Sequence, residues 1–442
     1  MSSRRPPGPR PLLGSVIAYA RAPLAFLEEC TWDKYGDVVY LRFLGQPTYV
    51  LNLPEHIEYV LVTNQRNYVK DKLQRVLLEE FLGKGLLVSE GSFWQRQRRL
   101  IQPAFHRQRV AAYGQLMGEQ ARRLRAQWRH GDCRDISEDM MGLTLAIVVR
   151  SLFGLELEDG AAAAVAPALD RVMSHFAKMQ ALVVPSWVPT PENLGYRAAV
   201  RRLYHTVDEI VRRRREAGGD TGDLISMLLQ ARDEHGNPMS DQQVRDEAIT
   251  LMLAGHETTA ITLSFCWELL SRHPEAEAAL HRELDSVLGG REPTVEDLAS
   301  LPFTEGVVKE SLRLFPPAWS LSREAVEADE IAGWPIPAGA MVWMNQWTVH
   351  RDRRFYREPL AFQPQRWVEG LERYLPRYAF FPFGGGSRMC IGLSFAMMEA
   401  RLVLATLAQR FRLERLTQGE VELLPTITLR PKHGMPMRLH AR

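Results

Sequence analysis

Cysteine is scarce in this chain. Four residues, Cys30, Cys133, Cys266 and Cys390, are spread over 442 positions, too few for a disulfide framework and too widely spaced for a zinc pattern, which favours a reducing, cytoplasmic setting. Long apolar runs are lacking as well. Met140 to Val149 is a leading candidate, but it has about half of the roughly 20 residues that span a bilayer and it ends at Arg150. No transmembrane anchor is expected. Net charge is nearly absent, with 55 Lys and Arg against 53 Asp and Glu, so bulk electrostatics implies no nucleic-acid partner. Residues 1–10 are basic and proline-rich with no apolar core behind them, which excludes a signal peptide. No internal repeat or low-complexity linker divides the chain, so one domain over residues 1–442 is expected, with a proline-rich segment at 1–20.

What is present is helical periodicity. Arg109 to Trp128, Leu194 to Ala217, Gly222 to Arg232, Glu275 to Leu288 and Leu393 to Phe411 all carry it. The longest helix starts at Ser240, where Ser240 and Gln243 make a capping box, and runs about 30 residues to the Ser271-Arg272-His273-Pro274 break. Alternation at 37–52, turning at Gly45-Gln46-Pro47, predicts a hairpin, and Leu424 to Leu429 reads as a second β stretch. The fold class is mainly α with small β-sheets.

Four constellations stand out. Phe383-Gly384-Gly385-Gly386-Ser387-Arg388-Met389-Cys390-Ile391-Gly392 places one cysteine after a glycine-rich loop and an arginine, at the start of a long helix. Backbone N–H groups and a nearby cation there favour a thiolate able to bind a metal. Inside the long helix, Ala254-Gly255-His256-Glu257-Thr258-Thr259 puts glycine and two threonines where they are poor helix formers, and buries a glutamate that needs water or a ligand. Glu310-Ser311-Leu312-Arg313 turns the Glu310 carboxylate toward the apolar face of Val307 and Leu314, so it requires a partner. Trp94 and Arg98, at i,i+4, project an indole N–H and a guanidinium side by side.

Taken in order along the chain, these segments match F-x-x-G-x-R-x-C-x-G, A-G-x-(D/E)-T-T, E-x-x-R and W-x-x-x-R, and the sequence resembles the cytochrome P-450 superfamily from about residue 30 to about residue 430. The resemblance implies a triangular prism of about a dozen helices around one haem b, whose iron is held by the Cys390 thiolate. Trp94, Arg98, Arg323 and Arg388 would hold the propionates, while Phe383, Gly384, Gly392 and Ala254 would lie against the ring. The long helix would cross the distal face with a widened turn for O2, Thr258 holding the reduced dioxygen by hydrogen bonds and Glu257 relaying protons. Arg366 would complete a buried Glu310–Arg313–Arg366 network that supports the fold.

The implied activity is insertion of one oxygen atom into a lipophilic substrate (a fatty acid, terpenoid or steroid-like compound), with fatty acids preferred. Retention of Glu257 and Thr258 favours O2 activation over the alternatives, a peroxide-driven or rearranging enzyme or a haem-based sensor. No fused reductase is expected. NAD(P)H electrons would come through a separate ferredoxin or flavodoxin and its reductase, docking on a monomer near Cys390 and drawn by Arg96, Arg99, Arg107 and Arg109. Candidate substrate contacts include Leu86, Leu87, Leu182, Val183, Val184, Trp187, Ala318, Trp319, Leu321, Thr426 and Ile427. Trp319 would narrow the space above the haem, and residues 182–189 would form an apolar lid.

Overall fold

The computed structural model describes residues 5–9, 12–156, 165–176, 184–219 and 222–442. Helix dominates and the sheets are small, as expected. The chain gathers into two compact units, Met1–Arg75 with Lys309–Cys390 and Val76–Val308 with Ile391–Arg442. Among the described residues no helix is long and apolar enough to cross a membrane.

The first unit is built on a five-stranded sheet of β1 (Val38–Phe43), β2 (Gln46–Leu51), β3 (Tyr68–Val69), β4 (Leu321–Ala325) and β5 (Met341–Met344), in the order β1-β2-β5-β4-β3. β2 and β5 run parallel and the other pairs antiparallel. The first hairpin turns at Leu44 and Gly45, φ 49° and 81°. Positive φ at both central positions matches the twist of the strands. Gln46 and Pro47, placed in the turn from sequence, instead open β2, where Pro47 faces Arg42. Leu51, Val342, Met344 and Ala325 form the buried core of this unit.

The second unit is helical. Its main elements are α1 (Gly91–Ile101), α2 (Arg107–Gln127), α3 (Ile136–Phe153), α4 (Val165–Phe176), α5 (Pro191–Ala217), α6 (Asp241–Arg272) and α7 (Leu393–Ala408). The capping box of α6 is present in both directions: the Gln243 N–H donates to Ser240 Oγ at 3.2 Å, and the Ser240 N–H to Gln243 Oε1 at 2.9 Å. From Val244 to Leu270 every residue of α6 is buried except Arg245, Ala254, Gly255 and Thr258, the signature of a central helix. α7 stops at Ala408, short of the predicted end, because Phe411 opens a strand. The run at 424–429 is likewise not one strand. It is a hairpin of β6 (Leu423–Pro425) and β7 (Leu429–Pro431), closed where the Thr426 N–H and hydroxyl both donate to the Thr428 carbonyl.

Candidate functional site

The cysteine loop closes on itself. The Cys390 N–H donates to the Phe383 carbonyl at 3.0 Å and the Gly384 N–H to the Phe381 carbonyl at 2.9 Å. Gly384 and Gly386 have φ 70° and 64°, a region that favours glycine. A Cβ on Gly386 would lie 1.8 Å from the Leu61 carbonyl oxygen, and one on Gly385 would lie 2.1 Å from the Tyr378 ring. The chain is therefore held against its neighbours at van der Waals distance with no room for a side chain. Loop amides expected to turn toward the sulfur are used elsewhere: Gly386 N–H donates to the Tyr378 hydroxyl, Ser387 N–H to Gln65 Oε1 and Met389 N–H to the Gly386 carbonyl. Cys390 emerges exposed, Arg388 and Phe383 are half-buried, and Gly392 is the N-cap of α7. Arg323 is buried on β4 and donates to the Ser322 carbonyl.

The α6 motif is a continuous α-helix, not the widened turn expected. Its threonines bond back along the helix, Thr258 Oγ1 to the Ala254 carbonyl at 2.7 Å and Thr259 Oγ1 to the Gly255 carbonyl at 3.1 Å, which satisfies the hydroxyls without breaking the ladder. Gly255 has a packing reason: a Cβ there would meet Val148 of α3 at 3.2 Å, beside the 2.9 Å bond from Thr144 Oγ1 to the His256 carbonyl. Ala254 and Thr258, four residues and so about 40° apart around the axis, share an open strip on this otherwise buried helix.

Glu257 points into the β6–β7 hairpin, where Oε1 accepts from Thr428 Oγ1 and Arg430 Nε. Sequence reasoning missed both partners. They lie more than 170 residues away, and nothing local in the sequence pairs them. Two further buried carboxylates were also missed. Asp246 accepts the Lys84 N–H at 3.0 Å and Glu247 the Leu86 N–H at 2.8 Å, pinning the loop at 83–88 to α6. Burial pushes the Glu247 carboxyl up to about 8, with Asp246 adding to the effect and the Leu86 bond opposing it. On α7, Glu399 is fully buried, and desolvation raises it well above the ordinary carboxylate range.

Trp94 and Arg98 meet as their spacing predicts, the guanidinium carbon 6.0 Å from the indole centroid. Arg96 and Arg99, expected to offer charge to an electron donor, are instead engaged by Asp233 (2.7 Å) and Glu234; the Arg107 side chain lies outside the described residues. The Glu310 network forms as expected and is larger. Arg313 binds both carboxylate oxygens at 2.7 and 2.9 Å, Arg366 Nε stands at 3.2 Å, and the Trp367 indole donates at 2.8 Å. Arg313 also reaches the His350, Pro359 and Ala361 carbonyls.

Of the substrate candidates, Leu86, Leu87 and Ile427 join one apolar cluster with Leu253. Trp319 stacks on Tyr19 beside Phe43 and Trp343. Trp187 is 73% exposed, and the segment behind it is tied down by Asn193 Nδ2, which donates to the Pro185 and Val188 carbonyls. Leu182 and Val183 lie outside the described residues.

Comparison with known proteins fits this geometry. The family model described as Cytochrome P450 matches residues 5–436. Cyclooctat-9-en-7-ol 5-monooxygenase of Streptomyces melanosporofaciens is 39% identical over 92% of this chain and 88% of its own. Pentalenene oxygenase of Streptomyces avermitilis is 34% identical over 99% and 97%. The crystal structure of the cytochrome P450DA heme domain superposes with a TM-score of 0.90 at 27% identity, covering 99% of this chain and 98% of that one.

Proposed function

Because the chain belongs to the cytochrome P450 family, and is therefore a haem-dependent monooxygenase, we propose that its substrate is a cyclic terpenoid. The observation that carries this reading is near full-length similarity to two oxygenases whose names denote oxidation of such compounds. The open strip of α6 supports it: Ala254 and Thr258 are both small and suit a bulky ring system better than an extended chain. The terpenoid reading replaces the fatty-acid preference.

Two observations fit the residues to a haem. Cys390 presents an exposed thiol on a loop where Gly385 and Gly386 admit no Cβ, and between Asp246 and Leu270 α6 is open only at Ala254, Gly255 and Thr258, within the motif. Cys390 would ligate the iron. Trp94, Arg98, Arg323 and Arg388 would hold the propionates, with Phe383, Gly384, Gly392 and Ala254 against the ring. When bound, the haem supplies reductive activation of O2 and transfer of one oxygen atom to a C–H bond, the other leaving as water. Thr258 supplies the hydroxyl beside that chemistry. It donates to the Ala254 carbonyl, which leaves its lone pairs available to accept, and donating to an oxygen species requires release of that bond. Glu257 serves as proton relay only when its carboxylate leaves Arg430 and Thr428. Electrons arrive from NAD(P)H through a separate ferredoxin or flavodoxin and its reductase. The scarcity and wide spacing of the four cysteines suit a reducing cytoplasm.

The test is a panel of cyclic terpenes, steroids, fatty acids and small polar aromatics titrated into the ferric protein and followed by the low- to high-spin absorbance change. Cyclic terpenes are expected to bind most tightly and to be turned over. Response to fatty acids alone would overturn the assignment.

A further inference from the structure

Helices α4 and α5 meet at a stacked pair of rings. The His175 imidazole and the Tyr196 phenol have centroids 4.1 Å apart and planes 18° from parallel. Phe176 packs edge-on against Tyr196, and Phe81 lies against Phe176. Both polar side chains are buried, 3% and 0% exposed. Even so, neither the Tyr196 hydroxyl nor His175 Nδ1 has a hydrogen-bond partner among the described residues. Glu192 Oε1 stands 3.6 Å from Nδ1, too far for a hydrogen bond. Burial lowers the imidazole pKa, with Glu192 opposing, which favours the neutral ring. Buried polar groups are seldom left unpaired in folded proteins, so each one that is needs an explanation. Here there are two, in contact, and Tyr196 belongs to the same apolar cluster as Leu86, Leu253 and Ile427.

We infer that His175 and Tyr196 form a polar subsite for one uncharged oxygen of the substrate, a hydroxyl or a carbonyl, and so select a terpenoid that has already been oxygenated once. This rests on the terpenoid reading above. The phenol both donates and accepts, and a neutral imidazole nitrogen accepts or donates according to tautomer, so an alcohol completes both groups. A carboxylate is a poor match, because the nearby cation, Arg171, is already engaged by Glu192 and nothing in the pair itself offsets the desolvation of a second anion. The substrate must then come from a reaction that leaves an oxygen on the skeleton, either an earlier hydroxylation or a cyclisation ended by water.

The experiment uses the ferric holoenzyme and cyclic terpene hydrocarbons paired with their own mono-alcohols, cedrene and cedrol among them, with affinity read from the haem absorbance. The wild type is expected to bind the alcohols at least tenfold more tightly. Tyr196→Phe and His175→Phe should each erase that preference while moving hydrocarbon affinity less than twofold. Without ligand, Tyr196→Phe should melt no lower than wild type, since its hydroxyl has no partner to lose. A lower melting temperature with the preference intact would make the hydroxyl structural and overturn the subsite. Equal binding of hydrocarbon and alcohol by the wild type would overturn the subsite and leave the terpenoid assignment standing. Binding of fatty acids with no response to any terpene would overturn both.

Discussion

At the scale of single residues, the site separates groups by what holds them. Cys390 is exposed at the end of a loop that its own backbone bonds hold rigid, so removing its sulfur should change the ligand and little else. Cys390→Ser is expected to abolish the strongly red-shifted Soret band of the reduced carbon-monoxide complex, whereas replacing Cys30, Cys133 or Cys266 should retain it; absorbance spectra of the four variants check this. Thr258 has a narrower role. Thr258→Ala removes a hydroxyl that bonds only within its own helix turn among the described partners, so haem and substrate binding should survive. Product formed per NAD(P)H should fall roughly tenfold, less than the roughly 10²–10⁴-fold that a general acid–base group contributes to a rate, and the electrons should appear as hydrogen peroxide or water. Unchanged coupling would reassign Thr258 to helix packing.

At the scale of elements, α6 is the organiser of the second unit. α3 packs along it at Gly255 and Thr144, the β6–β7 hairpin binds it at Glu257, and the 83–88 loop hangs from Asp246 and Glu247. The loop attachment has a pH signature. Glu247 is neutral in the fold up to about pH 8, whereas in the unfolded chain it ionises near pH 4.5. Between those values the folded state holds the extra proton, so stability falls as pH rises through that window and then levels off. Glu247→Gln keeps an acceptor for the Leu86 N–H without a charge to desolvate. It should match the wild type near pH 4 and exceed it at pH 9 by up to about 5 kcal/mol, as measured by denaturant melts at the two pH values. An advantage that stayed constant with pH would rule out this origin.

At the scale of the whole molecule, the Glu310 network is the strongest structural device in the first unit. One fully buried carboxylate joins the Pro302–Leu314 helix, Arg366, Trp367 and the Gln363 N–H, while Arg313 gathers carbonyls from residues 350–361. Breaking one side of such a pair leaves buried charge without a counter-ion, at a cost of roughly 3–5 kcal/mol. Glu310→Gln should therefore lower the yield of haem-loaded protein and the melting temperature while the residual folded fraction keeps its thiolate spectrum. A variant that is fully folded but spectrally altered would instead place Glu310 in the chemistry.

Much of this was legible in the sequence because it depends on local chemistry. The Ser240 capping box, the i,i+4 pairing of Trp94 with Arg98, the i,i+3 pairing of Glu310 with Arg313 and the glycine loop before Cys390 all act within a few residues, so spacing alone determines them. The central position of α6 was not legible in this way, because Asp246, Glu247, His256 and Glu257 interrupt its apolar residues and are nonetheless buried. Tertiary structure decided the rest. Glu257 pairs with Arg430, Arg96 with Asp233, and Glu247 with the Leu86 amide. Each partner arrives from more than 130 residues away, and any of several arginines would have satisfied the sequence. The tertiary fold also decided that Gly255 serves the close approach of Val148, and that His175 and Tyr196 come to rest against each other. Burial and pairing of polar groups are set by which surfaces meet, and a one-dimensional pattern shows only that such groups need a partner, not which one the fold supplies.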